Sequence, residues 1–148
     1  METLGITIDL SHAWDAAFNE ILDLATKPVV ISHVGVVGTC PGSRSFTDDQ
    51  LQSIGENGGV IGVGFSKKAI CDVSMKGIAA AIIHAIKAAG FDHVGLGSDF
   101  DGNVTTPFDT TGLPMLIEAL RAAGLPAEDV FKVLDGNVRR VLTTNLPD

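Results

Sequence analysis

At 148 residues the chain has the length of one domain with room for a sizeable core, and its 45% apolar and 19% charged content is that of an ordinary globular protein. Ten basic against 18 acidic residues give a net charge of −8, which argues against nucleic acid or an anionic membrane surface as a partner. The longest apolar runs, such as Ala79–Ile83, are far too short to span a bilayer. Met1-Glu2-Thr3-Leu4 has neither the basic nor the apolar region of a signal peptide, so the expected location is cytoplasmic. Cys40 and Cys71 do not make a disulfide framework and are expected to be buried or free thiols of a reducing compartment rather than a bridge.

In chain order, Gly5–Leu10 is short, β-branched and apolar and is predicted as a strand. Trp14, Ala17, Phe18, Ile21, Leu24 and Ala25 recur at helical spacing over Ala13–Thr26, and Lys27-Pro28 ends that helix. Val29–Ile31 reads as a second strand, apolar on both faces as in a covered parallel sheet. The Gly-rich stretch Gly35–Ser45 is too long for a plain connection and points to function. Thr47-Asp-Asp-Gln50 has the form of a capping box opening a helix through Ile54, and Val60–Val63 gives a third strand. Ser74 is expected to cap a helix reaching Ala89, followed by a fourth strand, Val94–Leu96. Helices over Pro114–Ala123 and Ala127–Leu142 complete the chain. The βα order repeats four times, which means a parallel sheet with right-handed crossovers. Such a sheet fits either a small doubly wound domain or half of an eight-stranded barrel, since a whole barrel needs about 250 residues.

In both architectures the site lies at the C-terminal ends of the strands, where His12, His33 and Asp99 fall. His12 and His33 each follow a serine directly after an apolar strand; they are either imidazoles sharing a metal such as zinc or strand-end histidines bonded to backbone. His84, inside an amphipathic helix, and His93, in a turn, read as structural or solvated. Asp99 and Asp101 flank Phe100: in extended chain both carboxylates point one way, whereas in a bend only one need reach the site. Beside a metal, a strand-end aspartate is a ligand or a proton acceptor; the plainer role, an Asx turn, suits Asp101-Gly102 better than Asp99. Arg44, in the long loop, could clasp a carboxylate bidentately or lie solvated. No phosphate loop, dinucleotide fingerprint or nucleophile elbow occurs, so nucleotide binding and serine or cysteine nucleophiles have no support.

Gly5-Ile-Thr-Ile-Asp-Leu-Ser-His12, Pro28-Val-Val-Ile-Ser-His33, Arg44 with Thr47-Asp48, Gly58–Gly62, Gly95–Gly102 and Gly136-Asn-Val-Arg-Arg-Val141, in that order and spacing, resemble the C-terminal half of the membrane (renal-type) dipeptidase family of zinc peptidases. The resemblance runs through essentially the whole chain. It implies an α/β fold, the parallel-strand half of a (β/α)8 TIM-like metallohydrolase barrel with about four βα units and C-terminal helices, formed by residues 1–148 as a single domain. It implies hydrolysis of dipeptides, with two zinc ions in the complete site. His12 and His33 match the histidines that hold one zinc, Arg44 the residue that grips the substrate's terminal carboxylate, and Asp99 the acid that handles protons at the metal-bound water. The family's His-x-Asp pair, its bridging glutamate and a further histidine belong to the half that precedes this one, so the chain alone is expected to hold at most one zinc, weakly. A half barrel leaves edges and apolar faces open, which predicts pairing with a second copy or with a missing N-terminal half. The alternatives are a non-catalytic homologue or subunit that keeps the fold and part of the metal site, and a related metal-dependent amidohydrolase or lactonase.

Overall fold

A computed structural model of the chain describes residues 1–147. Six α-helices alternate with a parallel sheet: α1 (Asp15–Leu24), β1 (Val30–Val36), β2 (Ser45–Phe46), α2 (Asp48–Asn57), β3 (Val60–Gly64), α3 (Met75–Ala89), β4 (Val94–Gly97), α4 (Leu113–Ala122), α5 (Ala127–Phe131) and α6 (Asn137–Asn145). The strands lie in the order β2-β1-β3-β4 and every pairing is parallel. β3, Val60–Gly64, is buried along its whole length, which is why it reads as an unbroken apolar run.

Local chemistry sets the helix ends. The Thr47 side chain accepts from the Gln50 N–H while the Gln50 side chain accepts from the Thr47 N–H, the reciprocal box that starts α2. Ser74 caps α3 through the Gly77 N–H. The apolar stripe of α3 presses Ile78, Ile82 and Ile86 onto the sheet beside Ile31, Ile61 and Val63, in one cluster that also takes in Phe18, Leu51, Ile54, Leu116 and Leu120. Each such fully buried aliphatic side chain contributes about 1.5–3 kcal/mol.

Three expectations about the elements change. The stretch Gly5–Leu10 is not a full strand: it docks on β1 through Val30 N–H to Ile8 O (2.9 Å) and Leu10 N–H to Val30 O (2.8 Å), leaving a single bridge, Asp9 to Val30. With no strand pairing on its other side among the described residues, it has half the ladder of an interior strand. Trp14 is no core residue of α1. Its extended φ/ψ of −75°/153° makes it the N-cap, and its side chain is 85% exposed. The final helix is interrupted by a π segment, Lys132–Gly136, between α5 and α6.

α6 is tied to the strand starts by the buried Asn137 and the half-buried Arg140. Asn137 Nδ2 donates to Phe91 O and Val94 O, both at 2.8 Å, and Arg140 donates to Gly58 O and Asp92 O, both at 2.7 Å. These carbonyls begin β3 and β4, so the bonds satisfy backbone that the sheet leaves over. β4 lies at one edge of the sheet, and large apolar side chains stay exposed on the periphery, among them Leu4, Leu24, Phe131 and Leu146.

Cys40 and Cys71 are joined in a disulfide, which corrects the expectation of free thiols. The loop after β1 and the turn after β3 meet, bringing the two Cα atoms to 5.2 Å although 31 positions separate them in sequence. Sequence spacing carries no record of that meeting. Closing a loop of this size stabilises by about 2–4 kcal/mol. Reduction, or Cys71→Ser, is therefore expected to lower the thermal midpoint by roughly 5–15 °C in a melting scan, and an unchanged midpoint would mean that the bridge carries no stability.

Candidate metal and substrate site

The site forms where Gly5–Leu10, β1 and β4 end. Between Ile31 and Val34 the register of β1 slips: three steps along β1 answer two along β3, from Ile61 to Val63. Ser32 and His33 occupy the slip, a β-bulge, and their backbone N–H groups bond outside β3. Asp9 and Ser11 take them up. Asp9 Oδ1 accepts from the N–H groups of Ser11 (2.9 Å) and Ser32 (3.0 Å), and Ser11 Oγ accepts from the N–H of His33 (3.1 Å). Burial opposes the charge of Asp9, but the hydrogen bonds from Ser32 and Ser11 outweigh it and hold the carboxyl below its ordinary value.

Glycines make room for the bulge. A Cβ on Gly62 would lie 2.2 Å from Ser32 O, and one on Gly97 would lie 2.5 Å from the same atom. The Ser32 carbonyl therefore lies against two neighbouring strands where a side chain would otherwise stand.

The histidines converge from there. His12 adopts a left-handed φ of 67°, which turns its ring back over the end of β1. Its Nε2 lies 2.9 Å from His33 Nε2, close to the roughly 3.3 Å expected of two nitrogens on one tetrahedral zinc. His33 Nδ1 is 3.1 Å from Ser32 Oγ, so the ring is held by one nitrogen and presents the other to the cleft. The two imidazoles thus fit a shared metal ion.

Asp99 also has a left-handed φ, 56°, and its Oδ2 lies 3.9 Å from His33 Nε2. The backbone bends immediately after it: Gly102 N–H donates to Asp99 O at 3.0 Å, and a Cβ at Gly102 would strike the Asp99 carboxylate at 2.2 Å. The bend decides between the two aspartates, since Asp99 lines the cleft whereas Asp101 is exposed and does not. Phe100 turns inward, with ring centroids 5.8 Å from Phe65 and 6.1 Å from Phe108.

Arg44 reaches the same place. Its backbone carbonyl accepts from Gly35 N–H at 2.7 Å, and its Nη1 meets His12 Nδ1 and lies 3.3 Å from His12 Nε2. The loop that carries it is fastened by Ser45 Oγ to Cys40 O (2.6 Å) and by the Cys40–Cys71 bridge. His12, His33, Arg44 and Asp99 thus line one cleft of about 960 Å³, together with Trp14 and Lys68. The other two histidines lie elsewhere: His84 Nε2 bonds Asp48 at 2.8 Å and His93 Nδ1 bonds Gly59 O at 2.9 Å. Among the described residues no three His, Cys, Asp or Glu side chains come close enough together to hold a metal by themselves.

The profile of the membrane dipeptidase family, peptidase family M19, matches residues 1–146. The chain belongs to that family. A Klebsiella pneumoniae protein encoded in the pqqA 5′ region is 39% identical over 152 residues, covering 96% of this chain and 56% of that protein. Dipeptidase tcpJ of Claviceps purpurea is 32% identical over 149 residues, covering 96% of this chain and 35% of its own length. Among solved structures, a metallopeptidase of Rhodobacter sphaeroides liganded with a phosphinate mimic of the dipeptide L-Ala-D-Ala superposes with a TM-score of 0.89 at 31% identity, over 98% of this chain and 44% of that one. Dipeptidase AC, also of family M19, gives 0.89 at 32% identity, over 97% of this chain and 45% of that one. M19 dipeptidases are TIM barrels, and the four-stranded parallel sheet with its helices corresponds to about half of such a barrel. The chain spans between a third and a little over a half of the relatives named here.

Sequence reasoning singled out His12, His33, Arg44 and Asp99, which line this cleft, but not Asp9, Ser11 or Ser32, whose hydrogen bonds hold the two histidine-bearing strand ends together. The available signal was a serine before each histidine and glycines at 62 and 97 facing one carbonyl. Gly62→Ala is expected to destabilise the fold by about 1–3 kcal/mol, because the added methyl displaces the Ser32 carbonyl. A chemical melt reads the effect, and a neutral result would show that the bulge does not need the glycine.

Proposed function

We propose that this chain is the C-terminal part of a zinc-dependent dipeptidase, hydrolysing dipeptides with metal-activated water. The observation that carries the reading is the meeting of His12 Nε2, His33 Nε2, Arg44 and the Asp99 carboxylate at one cleft in a member of the M19 family. His12 and His33 would hold one zinc through the two nitrogens that face each other. When bound, zinc supplies Lewis acidity that polarises the peptide carbonyl and makes water a nucleophile at neutral pH. Arg44 would bind the terminal carboxylate of the dipeptide, a planar fork against a planar anion. Asp99, beside His33, would take the proton of the attacking water and return it to the departing amine.

Two imidazoles make an open zinc site, so we infer that the remaining donors come from outside residues 1–148, either from a complementary half or from a second copy. The open β4 edge and the exposed Leu4, Leu24, Phe131 and Leu146 support such an assembly, with residues 1–148 acting as one domain of it. No described helix is long and apolar enough to cross a membrane. The Cys40–Cys71 bridge favours an oxidising compartment over the cytoplasm. A second reading, a non-catalytic homologue that keeps the fold and part of the metal site, is favoured by the lack of a three-donor cluster among the described residues.

Size-exclusion fractions analysed for zinc and for dipeptide hydrolysis separate these readings. We expect zinc and activity to elute together in a species larger than the 15.4 kDa chain. His33→Ala is expected to abolish both, and Arg44→Ala to raise KM roughly 10–100-fold, the worth of one charge-assisted contact, with zinc retained. Bound zinc without turnover in any fraction would establish the non-catalytic reading, and a chain that takes up no zinc would end the metal assignment.

A further inference from the structure

Arg44 is carried by a loop that leaves the end of β1 and returns as β2. Two backbone bonds close the base of that loop: Gly35 N–H donates to Arg44 O at 2.7 Å, and Val37 N–H donates to Phe46 O at 3.0 Å. Between them the chain turns at Thr39 and Cys40, whose N–H groups both donate to Val36 O. A side chain from outside the cleft also takes hold of the loop. It is His84, on α3, and it touches the chain on both sides of Arg44.

His84 Nε2 lies 2.8 Å from Asp48 Oδ1. A carboxylate only accepts, so the imidazole donates. Asp48 is the first residue of α2, just beyond the Arg44 loop. The same ring lies against Gly38, before Arg44: a Cβ there would fall 2.8 Å from His84 Nδ1 and closer still to Cε1 and Nε2. A residue without a side chain is what lets the loop lie on the imidazole. The anchor itself is fixed, because Ala81, Ile82, Ala85 and Ile86, its neighbours on α3, are buried in the core.

His84 does not line the cleft, so any effect on a ligand there must travel through the loop. An arginine side chain is long and flexible. Holding the backbone that bears it removes freedom that binding would otherwise have to remove.

We propose that His84 is a positioning residue for Arg44, clamping the two flanks of its loop through Gly38 and Asp48. The clamp is a property of the chain itself. Its consequence for a substrate rests on the reading of Arg44 as the group that binds a dipeptide carboxylate.

NMR relaxation of the 148-residue chain reads the clamp, and dipeptide kinetics of the hydrolysing assembly read its consequence. The backbone order parameter of Arg44 is expected near the rigid value of about 0.85, and to fall toward about 0.6 in His84→Ala with β3 unchanged. His84→Gln, whose amide can still donate to Asp48, is expected to restore it. Gly38→Ala is expected to loosen Arg44 by displacing the ring, yet to add nothing in the His84→Ala background, where the space is already free. In the assembly, His84→Ala is expected to raise KM roughly 3–10-fold with kcat within about 2-fold, and His84→Gln to reverse the rise. An Arg44 that stays equally ordered in His84→Ala while the thermal midpoint drops would overturn the proposal and leave His84 a purely stabilising role. So would an unchanged KM in an active assembly. An Arg44 loosened by these substitutions in a protein with no dipeptidase activity would uphold the clamp while ending the dipeptidase reading.

Discussion

The arrangement of the cleft depends on one carboxylate between two strand ends. Asp9 Oδ1 accepts from the N–H of Ser32, at the point where β1 slips its register, and from the N–H of Ser11, just before His12 turns left-handed. Without an acceptor there, the N–H of Ser32, an exposed residue, would turn to water and the bulge would lose one of the bonds that hold it. The bulge would then have reason to anneal into a regular ladder. Shifting a strand by one residue sends each side chain to the opposite face, and His33 would leave the cleft. A local hydrogen bond thus decides which way a histidine points.

The sheet supplies the rest of the condition. Parallel strands begin at one end and finish at the other, so side chains distant in sequence share one mouth. Arg44 comes from a long loop, Asp99 from the bend after β4, and the two histidines from the ends of Gly5–Leu10 and β1. The loop bearing Arg44 is the least regular of these pieces, and it is the one tied down covalently, through Cys40 to Cys71. At the opposite end of the strands, Asn137 and Arg140 satisfy the carbonyls that start β3 and β4, so the frame is held at both ends by polar groups.

Much of this was legible in the residues. The buried strands β3 and β4, the capping box at Thr47 and the serine cap at Ser74 all follow from short-range rules and match the observed elements. The mouth of the cleft was legible as well, because polar residues after apolar runs mark strand ends. Properties set by contacts between distant segments were not legible. The disulfide needs two loops to meet, and the reduction of Gly5–Leu10 to one bridge depends on a missing neighbour. Trp14 fits an apolar helical spacing but falls one residue short of the helix, so its side chain faces solvent. Whether one aspartate or two faced the cleft turned on the backbone bend at Phe100, which Gly102 permits.

The central claim is that His12 and His33 form one half of a zinc centre through their Nε2 atoms. X-ray absorption at the zinc edge of the zinc-loaded chain tests it directly. The account predicts two imidazole nitrogens at about 2.0–2.1 Å, completed by oxygen donors. A zinc shell with no imidazole contribution, or one that includes sulfur, would contradict it.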